Sequence, residues 1–116
     1  MSFQLRTKQL GQVVPSDTTP LLIFSPSSRD RCVVRNIIIC NVTSSTVTYR
    51  LFVDEDGTTY NTTTAIAYDI PLAGNTTDVW EVPIYMHDPA GSVAVQTGTG
   101  SALTFTANGE DGSIAY

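Results

Sequence analysis

The strongest signal in this chain is a two-residue alternation of apolar and polar positions. In Thr46-Val47-Thr48-Tyr49-Arg50-Leu51-Phe52-Val53, the positions Val47, Tyr49, Leu51 and Val53 share one face, and Thr46, Thr48, Arg50 and Phe52 share the other. That is the mark of a strand with one buried face, in which Phe52 is the misfit. The Val- and Ile-rich run from Arg31 to Val42 predicts a strand buried on both faces at its centre. The short polar link Thr43-Ser44-Ser45 between the two predicts a hairpin. Alternation returns through Ile66, Tyr68, Ile70 and Leu72 and breaks at Ala73-Gly74-Asn75-Thr76-Thr77. Val79 to Met86 reads as a strand that Pro83 confines to an edge or forces to bulge. His87-Asp88-Pro89-Ala90-Gly91 and Gly98-Thr99-Gly100 are turns, flanking short strands at Val93-Val95 and Ala102 to Thr106. Leu21 to Phe24, bracketed by Pro20 and Pro26, is a further strand, and Phe3 to Leu10 an edge strand.

About eight short strands with no 3.6-residue stripe, in a threonine-rich chain, predict an all-β fold of the β-sandwich or jelly-roll kind. With 116 residues the chain is one domain's worth. Its expected parts are an N-terminal arm or edge segment (1–20), the sandwich (21–108) and a loose acidic C-terminal tail (109–116). No apolar run approaches the length of a membrane-spanning helix. The start of the chain carries no signal-peptide pattern, which implies synthesis in a cytoplasm.

Charged residues are sparse at 15%, and the net charge of −5 argues against general nucleic-acid binding. All six cations (Arg6, Lys8, Arg29, Arg31, Arg35, Arg50) precede residue 51, whereas nine of the eleven acids follow it. Either interleaved strands mix the two signs in space, or a basic edge and an acidic edge meet head to tail across an interface. Cys32 and Cys40 fall on one strand, about 26 Å apart when extended, so they are expected to be reduced and used as small apolar residues.

Little in the inventory carries chemistry. His87 sits in a Pro/Gly/Asp turn beside Asp88, without a nucleophile elbow elsewhere. Asp54-Glu55-Asp56-Gly57 is a hairpin turn before it is a calcium site, since the oxygen ligands and closing Glu of a calcium loop are missing. An enzyme, a cofactor and a metal are therefore not expected. Three triplets, Asn41-Val42-Thr43, Asn61-Thr62-Thr63 and Asn75-Thr76-Thr77, match the glycan-acceptor pattern, but in so threonine-rich a chain chance produces them. Trp80, Tyr60, Tyr68 and Tyr85 offer stacking surfaces. Trp80 is expected in the core or a subunit interface, with a glycan platform as the other use.

In order, Val34-Arg35-Asn36-Ile37-Ile38-Ile39-Cys40-Asn41-Val42-Thr43, then Thr46 to Val53, Ile70-Pro71-Leu72-Ala73-Gly74-Asn75-Thr76 and Gly91 to Thr106, the chain resembles a family of small structural proteins of tailed bacteriophages. The longer His87-Asp88-Pro89 turn and the acidic tail depart from that pattern. The resemblance implies a virion component, foremost a capsid decoration (cement) protein, or a head–tail or tail accessory protein. It further implies a homo-oligomer, often a trimer, that binds the major capsid protein or other virion subunits, with neither nucleic acid nor membrane as partner. Partner contact is expected from the segment Ser2 to Pro20, with Arg6 and Lys8, and from Arg29 and Arg31. The alternative reading is a carbohydrate-binding or receptor-recognition module that uses a sandwich edge, tyrosines and acidic loops.

Overall fold

A computed structural model of the chain describes the backbone of residues 2–26, 32–81 and 83–115, and the side chains of 8–26, 32–81 and 83–110. It is all-β, with nine strands and no helix among the described residues: β1 (Ser2–Val13), β2 (Leu21–Phe24), β3 (Cys32–Asn41), β4 (Val47–Asp54), β5 (Ala65–Leu72), β6 (Thr77–Trp80), β7 (Ile84–Met86), β8 (Ser92–Thr97) and β9 (Leu103–Ala115). They form two antiparallel sheets. The long sheet runs β1-β9-β3-β6, with β7 also on β3, and the short sheet runs β2-β8-β4-β5. The pairing is nested: β1 with β9, β2 with β8, β3 with β6 and β7, β4 with β5. Early strands therefore lie against late ones, which decides where the charges fall.

The core is the seam between the sheets. Ile37 and Ile39 of β3 and Leu103, Phe105 and Ala107 of β9 face Val47, Tyr49 and Leu51 of β4 and Val93 and Val95 of β8. The Tyr49 and Phe105 rings meet edge-on at 6.4 Å. Each such large side chain contributes on the order of 1.5–3 kcal/mol through burial. The buried face of β4 is the one its alternation marks out. Phe52 points outward yet is 1% exposed, because the 55–64 loop folds back over it. Tyr60 packs on its ring at 6.0 Å and bonds Ser92 Oγ at 2.7 Å.

Several expectations need correction. β3 and β4 are not a hairpin: β3 belongs to the long sheet and β4 to the short one. Both sides of β3 are occupied, by β9 and by β6 and β7, so the 42–46 link has to cross between sheets. β3 is buried on one face at its centre, where Ile38 is half-exposed between buried Ile37 and Ile39; its consecutively buried stretch is Cys32-Val33-Val34 at the start. The strand read as Val79 to Met86 is two, β6 and β7, both on the β3 flank around Pro83. Residues 109–115 are not a loose tail but continue β9, paired residue by residue with β1. The start of the chain is accordingly an edge strand on its own domain, carried past the end of β3 as a two-stranded ribbon.

Buried Asn41 explains how the 42–46 link holds its shape. Its Nδ2 donates to the carbonyls of Ser45 (2.8 Å), Leu72 (3.0 Å) and Ala73 (3.3 Å). Its Oδ1 accepts from Thr43 N (2.9 Å) and Thr43 Oγ1 (2.8 Å). One amide thus ties the β3–β4 crossing to the β5–β6 crossing. Asn75, at φ 58°, adds its N–H to Thr43 O at 2.8 Å. At Gly74 a Cβ would collide with the Ser44 backbone, so only glycine lets the two crossings touch.

Candidate contact surfaces

The residues expected to contact partners do not form one cluster. Arg6 lies on β1 in register with Asp111, and Lys8 is in register with Gly109 and exposed. Arg29 and Arg31 lie outside the described residues. Of the two readings of the charge asymmetry, the described pairs favour mixing. Arg35 bonds Glu110 at 3.1 Å, and Arg50 holds Asp69 with two bonds of 2.7 and 3.2 Å. Among the described residues, nested pairing thus puts first-half cations beside second-half acids.

The acidic run and the histidine meet at the end of the sandwich where the 55–64 and 87–91 loops lie. Asp54 accepts bonds from Thr59 N (2.9 Å) and Asp56 N (3.3 Å); the Thr59 bond above all keeps its carboxyl below the usual range. His87 Nδ1 is 3.8 Å from Glu55, with both side chains about two-thirds exposed. Among the described residues no group of three or more His, Cys, Asp or Glu is arranged to hold a metal. The Asn-x-Thr triplets acquire a structural meaning at two sites. Asn61 Oδ1 accepts from Thr63 N (2.9 Å) and Thr63 Oγ1 (2.6 Å), as Asn41 does from Thr43, and Asp17 does the same with Thr19. These are side-chain-capped turns.

The aromatic residues part company. Trp80 is half-buried and turned inward, its Nε1 donating to Tyr49 Oη at 2.7 Å, while Tyr49 Oη donates to Asp78 at 2.7 Å. Tyr60 covers Phe52, Tyr68 lies under the Arg50 guanidinium at 3.9 Å, and Tyr85 is 69% exposed on β7.

What sequence reasoning missed is the outer face of the long sheet. Register places three rows across it: Thr104, Cys40 and Thr77; Gln12, Thr106, Ile38 and Val79; Gln9, Asn108 and Asn36. Gln12 Nε2 bonds Thr106 Oγ1 at 2.9 Å, and Asn108 Nδ2 bonds Asn36 Oδ1 at 2.9 Å, fixing the polar side chains in the plane of the face. Val79 is 53% exposed, and Ile38 and Cys40 are half-exposed. No acid or base occurs in these rows; at their margin lie Arg35 and Glu110, paired with each other, and exposed Glu81, which follows Trp80 at the end of β6. The signal was present, since alternation alone turns Thr104, Thr106 and Asn108 to one side of β9. Reading β3 as buried on both faces hid its half. No known protein-family model matches this chain, and neither curated proteins nor solved structures yield a match.

Proposed function

We propose that this chain is a non-catalytic structural subunit of a tailed-phage particle, a capsid decoration protein that seats the outer face of its long sheet on the major capsid protein and on neighbouring copies of itself. The observation that carries the reading is the absence of charge from the three rows around Ile38, Val79, Cys40 and Thr106. Depletion of charge is what distinguishes the centre of an interface from ordinary surface. The nested strand pairs support it further, because they agree with a jelly-roll reading of the sandwich, an architecture used by viral capsid and lectin domains.

The size of the face speaks to the mode of binding. With strands ~4.8 Å apart and alternate residues ~6.8 Å apart, the rows span on the order of 400 Å². A stable pairwise interface needs about 800 Å² per partner. A face half that size binds weakly one copy at a time and strongly when several copies engage a repeating lattice together. That suits a shell-bound closed oligomer such as a trimer.

The test is pelleting with shells of the encoding phage that have been stripped of the chain. Wild type is expected to saturate the shells, and Val79→Lys, a change at an exposed position, to bind at least about tenfold more weakly. Absence of pelleting, or a Val79→Lys curve that overlays wild type, would overturn the proposal.

A further inference from the structure

A hollow of about 210 Å³ opens on the outer face of the short sheet, away from the proposed contact face, lined by Thr18, Thr48, Arg50, Asp69, Gln96 and Gly98. Its centre is the Arg50–Asp69 pair. The register passes from Tyr49↔Ile70 to Leu51↔Ala67, so Tyr68 and Asp69 together stand opposite Arg50 in a bulge of β5. The bulge holds Asp69 at φ 52°, a left-handed backbone that a residue with a Cβ adopts only at a cost. In return Asp69 takes two bonds from Arg50, whose guanidinium carbon lies over the Tyr68 ring at 3.9 Å. Asp69 is 52% exposed and Arg50 29%, so the pair is open to solvent on the Asp69 side. The bulge and the two bonds together hold a fixed polar geometry at the hollow, which recognition of a small ligand needs.

We propose that this hollow binds one neutral sugar ring through a pair of adjacent hydroxyls. A hydroxyl both donates and accepts, and the wall offers both functions side by side. Arg50 bonds Asp69 through Nε and Nη2, which leaves Nη1 to donate; the Asp69 carboxylate retains lone pairs to accept. Gln96 Nε2 donates to Thr18 O at 2.7 Å, which fixes the amide in the wall of the hollow and leaves its Oε1 as an acceptor. Thr48 and Thr18 add hydroxyls to the wall. The Arg50 charge is cancelled by Asp69 within a chain of net charge −5, so an acidic sugar gains nothing here. The volume is below the ~300–1,000 Å³ of sites that enclose larger ligands, so a single ring fits and a dissociation constant near the millimolar range follows.

The inference does not rest on the particle reading and is tested on the isolated chain. Amide resonances are followed by NMR while methyl α-D-glucopyranoside, methyl α-D-galactopyranoside, methyl α-D-mannopyranoside and N-acetylglucosamine are added separately, with N-acetylneuraminic acid as the anionic comparison. At least one neutral sugar is expected to shift residues 48–50, 68–69 and 96–98, and the anionic sugar to leave them in place. Gln96→Ala, on the outer face, is expected to keep the dispersed spectrum and weaken the response about tenfold. No shift with any of the four neutral sugars, shifts elsewhere only, a response to the anionic sugar alone, or a Gln96→Ala titration equal to wild type would each overturn the proposal.

Discussion

Replacing Asn41 tests whether one buried amide holds the two crossings of the sandwich together. Asn41→Ala removes three donated and two accepted hydrogen bonds. Some partners keep a substitute: Ser45 O still receives Thr43 Oγ1 at 3.1 Å and Ala73 O still receives Thr76 Oγ1 at 2.6 Å. Counting about 1 kcal/mol for each bond not replaced gives a loss of about 3 kcal/mol, or roughly 10–15 °C in melting temperature. Asn41→Asp keeps the shape but turns the two N–H donors into an acceptor facing three carbonyls. At neutral pH it should cost more than alanine. Burial and those carbonyls raise the new carboxyl's pKa in the folded state above its unfolded value, so the folded chain binds the proton more tightly. The deficit should therefore shrink as pH falls through the folded pKa. Urea titrations of the three proteins at pH 8 and pH 5 measure this. An Asn41→Ala loss under about 0.5 kcal/mol, or an Asn41→Asp deficit unchanged with pH, would refute the assignment.

Tyr49→Phe should cost roughly 1–2 kcal/mol in the same assay, because it strips Asp78 and the Trp80 indole N–H of their shared partner. Burial foremost, with the neighbouring Asp78 adding to it, pushes Tyr49 up to about 12. Its contribution to stability is thus complete below the unfolded value near 10 and is lost as pH rises from there through 12; an alkaline series should show a steeper decline in wild type than in Tyr49→Phe. The two cysteines should differ in kind: half-exposed Cys40 reacts with a thiol reagent in the native chain, while Cys32, 1% exposed, reacts only after denaturation. Reaction of both thiols at equal rates would contradict the placement of β3, and shell-bound chain should protect Cys40 as well.

Strand positions were legible because alternation is a local property, and the buried face of β4 could be named residue by residue from it. The partnerships of those strands were not. A link as short and polar as Thr43-Ser44-Ser45 looks the same whether it turns back within a sheet or crosses to the other. What distinguishes them here is Asn41, whose amide reaches carbonyls more than thirty residues away. Phe52 was visible as an anomaly, but its cover comes from Tyr60 on a loop whose fold-back no periodicity records. The acidic end of the chain looked like a tail because Gly109, Glu110, Asp111 and Gly112 have low strand propensity; pairing with β1 overrides it. The charge-free face was half legible, in Thr104, Thr106 and Asn108. Its other half required the register that sets Asn36, Ile38 and Cys40 beside them. The Arg50–Asp69 pair depends on a bulge in β5, which the sequence does not signal.

The most direct measurement is an electron cryo-microscopy map of phage shells saturated with the chain. If the outer face of the long sheet is the contact face, the density places Ile38, Val79 and Thr106 against the capsid protein or a neighbouring copy, with the Arg50 hollow open to solvent. A bound chain whose long sheet faces solvent, or shells that carry no added density, would contradict it.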